Sequence, residues 1–170
     1  MTSGRNLTRV HPDQSDPRSM TTITHDIASI LNSLIETCKD GQEGFSSAAD
    51  NVKNPDMAAL FRSYSNQRQQ FAGELQSLVR SLGEGMEKTG SVAGALHRGW
   101  IDLKAAVSAK DEHAVLAECE RGEDSAVDEY REALEHSELP PEVHGVIARQ
   151  YASVQEAHDR VRDLRDSYQK

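Results

Sequence analysis

Apolar residues recur through most of this chain at alternating steps of three and four, the spacing that lines them up on one stripe of an α-helix. The first stripe runs through Ile27, Leu31, Leu34, Cys38, Gly41, Phe45, Ala48 and Val52 and predicts a helix over about Thr22 to Val52. Asn54-Pro55-Asp56 then supplies an N-cap, a first-position proline and an early acid, a helix-start signal. The second stripe is Met57, Phe61, Tyr64, Arg68, Phe71, Leu75, Leu78 and Leu82, closed by Gly83. So short a link makes these two helices antiparallel neighbours. Val92, Leu96, Trp100, Leu103 and Val107 predict a shorter amphipathic helix, with a break near Ser108 to Asp111. A third core helix follows over about Glu112 to His136, with Leu116, Glu120, Glu123, Val127, Tyr130 and Leu134 on its stripe. After Pro140-Pro141 the fourth runs from about Glu142 to Tyr168, with Ile147, Tyr151, Val154, His158, Val161 and Tyr168 facing inward and Arg165 near its end.

Asp111 lies 28 positions beyond Gly83. That is too long for a hairpin and ample for a crossover returning the chain to the other end of a bundle. The expected fold class is therefore all-α, a ferritin-like antiparallel four-helix bundle with a long crossover containing a short extra helix; a plain up-down bundle is the alternative. Residues 1–20 are polar, hold two prolines and bury too little to offset their ordering entropy, so they are expected to be a disordered extension to a bundle over 21–170. Only 5% of residues are aromatic, which leaves an aliphatic core. The net charge of −9 argues against nucleic acid and against an anionic membrane surface. No apolar run approaches the ~20 residues of a membrane span, and no signal peptide is visible. Two cysteines make no disulfide framework, so a cytoplasmic setting is expected.

Polar residues on a buried stripe carry the information. Arg68 interrupts the second helix, Glu120 and Glu123 the third and His158 the fourth, while Gln42 flanks the first beside Gly41. With a crossover, the second and third helices run parallel and the other two oppose them. Arg68 and Glu123 then fall near mid-height, and Gln42, Glu120 and His158 within about 6 Å of it. One reading is a metal layer, because inward carboxylates and imidazoles from facing helices build di-iron and di-manganese centres. Glu120, Glu123 and His158 would be ligands, with Gln42 or Gln155 beside them and Tyr64 orienting one. The other is a closed ionic cluster, in which Arg68 forks onto one glutamate and His158 bonds the other. Full Glu-x-x-His pairs are lacking, and Arg68 puts a fixed cation where a second-helix carboxylate is wanted. Glu74, the nearest substitute, lies about 9 Å along the axis and off the stripe. Cys38 and Cys119 are read as small buried hydrophobes. His97 and Arg98 are read as solvated, and Glu36, Asp40 and Glu43 as surface.

Several runs resemble a family of uncharacterised bacterial proteins, domain of unknown function 2383. They are Leu34-Ile35-Glu36-Thr37 with Lys39-Asp40-Gly41, Glu74-Leu75-Gln76 through Leu82-Gly83, and the crossover run from Gly90 to Trp100. Glu118-Cys119-Glu120-Arg121-Gly122-Glu123-Asp124, Gln150-Tyr151 and His158-Asp159 complete the likeness. The resemblance implies a ferritin-like fold with the long second-to-third connection, and metal binding or a stress-related role by analogy with ferritin-like relatives. Related sequences carry a glutamate after Asp-Gly where this chain has Gln42, which weakens a two-metal site. Two readings of function follow. The first is a cytoplasmic, non-enzymatic structural or partner-binding module, dimerising through the bundle or the outer face of the crossover helix. The second is an iron- or manganese-binding protein with ferroxidase-like chemistry.

Overall fold

The computed structural model describes residues 16–83, 100 and 102–168. Among these the structure is all-α, and no strand occurs. Helix α1 spans Pro17–Asn51, α2 Pro55–Ser81, the short α3 Leu103–Ser108, α4 Glu112–Leu134 and α5 Pro141–Tyr168. Helix α1 begins five residues before the expected start, inside the stretch expected to be disordered. The reason is local: the Asp16 side chain accepts the Arg18 N–H and Pro17 occupies the first turn. Of the expected crossover helix Val92 to Val107, the end is seen as α3, Trp100 and Asp102 just before it are not helical, and residues 92–99 and 101 lie outside the described residues.

Each boundary has a cause in the sequence. Asn54 caps α2 by accepting the N–H groups of Asp56 and Met57 at 2.9 and 3.2 Å. Gly83 adopts φ 76° just beyond its end, a conformation that costs a side-chain-bearing residue about 1–2 kcal/mol. Asp111 caps α4 through the Ala114 N–H at 3.2 Å.

The contacts fix the topology. Gln42 of α1 meets Ser65 of α2, and Cys38 of α1 meets Tyr130 of α4, so α1 is antiparallel to both. Tyr130 meets Gln150 and Asp124 meets His158, which makes α4 and α5 antiparallel. Helices α2 and α4 are therefore parallel, so the end of α2 and the start of α4 lie at opposite ends of the bundle, as the length of the connection predicts. Two apolar clusters fill the interior. One, around Leu31, Leu34, Leu75, Tyr130 and Ile147, lies toward the α2 C-terminus. The other, around Phe45, Phe61, Leu116 and Val161, lies toward the α1–α2 turn and takes in Leu103 and Ala106 of α3.

Candidate functional site

Between the two apolar clusters sits a polar layer. Arg68 is 1% exposed and Glu123 0%, and the Arg68 Nη2 donates to Glu123 Oε2. Gly41 makes room for the arginine: a Cβ there would lie 3.2 Å from Arg68 Cγ. The guanidinium carbon lies 5.9 Å from the ring centroids of both Phe45 and Phe71, in cation–π range. Burial pushes the Glu123 carboxyl upward against the pull of Arg68. Its Oε1 and the Arg68 Nε have no hydrogen-bond partner among the described residues.

The other predicted donors are engaged elsewhere. Glu120 is buried, one turn from Glu123, and accepts from Arg165 of α5. The His158 ring lies between two aspartates, with Nε2 2.7 Å from Asp124 Oδ1 and Nδ1 3.1 Å from Asp159 Oδ1. Ionised carboxylates only accept, so this position suits the protonated imidazole, which can donate from both ring nitrogens. Burial alone would depress its pKa; the hydrogen bonds it makes to Asp159 and Asp124 reverse this and raise it. Gln42 contributes its backbone carbonyl, which accepts the Ser65 hydroxyl at 2.8 Å, and its side chain is half-buried. Tyr64 packs against Phe45 with ring centroids 5.2 Å apart, and burial, then Glu123, raises its pKa. Gln155 is exposed.

The stripe of α5 keeps Ile147, Val154 and Val161 of the expected one but takes Gln150 and Ala157 in place of Tyr151 and His158. Val143, Ile147, Gln150, Val154, Ala157 and Val161 are its buried residues, also at steps of three and four. Tyr151 and His158 therefore flank the stripe, and Tyr168 is 40% exposed. A metal fits these side chains poorly. Each inward carboxylate carries an arginine, and both histidine nitrogens face carboxylates. No group of three or more His, Cys, Asp and Glu among the described residues is arranged to hold an ion.

A second polar network joins all four long helices. The Tyr130 hydroxyl donates to Gln150 Oε1 at 2.8 Å, which leaves its oxygen to accept from the Cys38 thiol at 3.1 Å. The Gln150 amide donates to the Phe71 carbonyl at 3.4 Å and to Glu74 Oε2 at 2.8 Å. Arg149 pairs with Glu74 from outside. Burial works to raise the Glu74 pKa, but Gln150 and Arg149 outweigh it and hold it down. Burial pushes the Cys38 thiol up to about 11, and Cys119 is likewise raised. Both cysteines are buried and free, as expected. The signal for Gln150 was present, since it lies three and four positions from Ile147 and Val154.

A glycine pair was also legible and missed. Gly44 of α1 and Gly122 of α4 each sit mid-helix, where glycine costs about 1 kcal/mol relative to alanine. A Cβ on either would run into the Trp100 indole. The ring lies against both helix backbones and meets Phe45 edge-on, with centroids 5.3 Å apart and planes at 70°.

These features define a class of all-α bundle with one long crossover and ion-paired polar layers in its core. Residues 26–136 match the family described as Domain of unknown function (DUF2383), and the chain belongs to that family. The match runs from α1 to just past the end of α4; Gln150 and His158 of α5 lie beyond it. No curated protein matches the chain. No helix among the described residues is long and apolar enough to cross a membrane.

Proposed function

We propose that the protein is a non-enzymatic, ferritin-like bundle module, cytoplasmic and structural or partner-binding, whose polar core layers fix how its helices pair. The observation that carries this reading is the Arg68 guanidinium directed inward onto Glu123 with both side chains buried. A fixed cation at the centre of the layer neutralises the carboxylate a metal would need. Association with a second copy, and any role under stress, belong to this reading as the ways such a module is used.

Iron or manganese binding is the second reading, and the Glu123 Oε1 without a partner favours it. Anaerobic titration with ferrous iron, and separately with manganese(II), followed by metal analysis after gel filtration, decides between the two. The module reading expects no metal to travel with the protein, and Glu123→Ala to lower thermal stability only. Stoichiometric metal that is lost in Glu123→Ala would replace it with the second. The same column measures the oligomeric state.

A further inference from the structure

We propose that the slot between Gly44 and Gly122 is a binding site for one flat bicyclic aromatic ring, of which Trp100 is the tethered and detachable occupant. The two glycines come from antiparallel helices and both back onto the same indole: a Cβ on Gly44 would run into Cε3, Cδ2 and Cζ3, and a Cβ on Gly122 into Cε2, Cζ2 and Cδ2. Neither helix tolerates a Cβ there without moving the ring, so the site admits the ring only because both positions lack a side chain. Phe45 closes its inner edge. The site is built by backbone and packing, and selects by shape rather than by charge.

The ring is also a partition. On its inner side a void of about 10 Å³ is lined by Trp100, Thr37, Glu123 and Ala126. On its outer side a groove of about 370 Å³ is lined by Trp100, Glu43, Ser47, Leu103 and Lys104. Withdrawal of the indole joins the two and brings solvent to the Arg68–Glu123 pair. The ring has room to move into, since the groove exceeds its own volume, and it is only half-buried where it sits. The anchors that follow Trp100 in the chain differ in kind. Leu103 and Ala106 just downstream are buried in the apolar core, whereas the Asp102–Arg121 ion pair at 3.0 Å is exposed and holds the segment weakly.

Trp100 is the chain's single tryptophan, so its emission reports the slot alone, while far-ultraviolet circular dichroism reports the helices. In urea, a detachable occupant red-shifts and becomes open to acrylamide quenching before ellipticity is lost. Coincident transitions would overturn the proposal. Trp100→Ala tests the site itself: it is expected to remain helical and to gain thermal stability from free indole at millimolar concentration, whereas Trp100→Ala/Gly122→Ala gains none. A Trp100→Ala chain that fails to fold, or that folds and ignores indole, would sink it. Gly122→Ala alone is expected to keep its helicity and show red-shifted emission.

Discussion

An arginine and a glutamate sealed together in a bundle core are an expensive pair. Desolvation costs several kcal/mol per ion, and the mutual attraction returns it only while both partners are present. Removing one is therefore worse than removing both. Arg68→Met is expected to cost about 3–5 kcal/mol by stranding Glu123, whereas Arg68→Met/Glu123→Leu should recover most of that loss. A double-mutant cycle in urea measures it, and equal losses in the single and double variants would refute the account. These two residues were legible as polar exceptions on apolar stripes. His158 was misplaced for an instructive reason. On α5 two stripes that share Ile147, Val154 and Val161 both keep steps of three and four; they differ at the positions between, where one residue turns a helix by about 100°. Choosing Tyr151 and His158 over Gln150 and Ala157 sent an imidazole inward that in fact lies at the edge, against Asp124. Nothing in a single stripe of α5 distinguishes the two; the facing helix does.

The helices begin and end where capping chemistry puts them. Asn54 holds the first turn of α2 with two hydrogen bonds, and Glu112 of α4 reaches across to accept the Lys53 and Asn54 N–H groups. The hydrogen bond from the Lys53 N–H is the main cause that holds the Glu112 carboxyl below its usual range. The α1–α2 turn is thus tied both by its own cap and by the start of another helix. Asn54→Ala is expected to lower stability by about 1 kcal/mol, read as a shift of the urea midpoint with an unchanged slope. An unchanged midpoint would mean that Glu112 carries the turn alone. The Asn-Pro-Asp cap was readable because its signal is local. Glu112 was not, since its partners lie almost sixty residues away in the chain. The start of α1 at Pro17 was also local, and was passed over because the surrounding composition is that of a disordered segment.

At the level of the whole molecule the chain forms two antiparallel pairs, α1 with α2 and α4 with α5, laid together so that α2 and α4 run parallel. The length from Gly83 to Asp111 was enough to read this arrangement, because a chain that must traverse a bundle needs many residues and a hairpin needs few. What no length could show is how the second pair is fastened. Along one edge of α4, Glu112 bonds Tyr168, Glu120 bonds Arg165 and Asp124 bonds His158, each partner lying on α5. Among these partners is a histidine, the side chain whose ordinary pKa lies near neutrality. Its neighbours are Asp124 on α4 and Asp159 on its own helix, with Arg162 and Arg165 further along α5 and Glu123 behind. Because its folded pKa is raised above the ordinary 6.5, the charged ring stabilises the fold. That contribution is complete below 6.5 and is lost as pH rises through the raised value. The urea midpoint of the wild-type protein is therefore expected to fall across that window and to level off above it. In His158→Gln the fall should be absent, with a midpoint at every pH near the wild type's alkaline value. A wild-type midpoint that climbs with pH across the window would mean that the imidazole is held neutral, and that the α4–α5 seam is fastened by Glu120 and Arg165 without it.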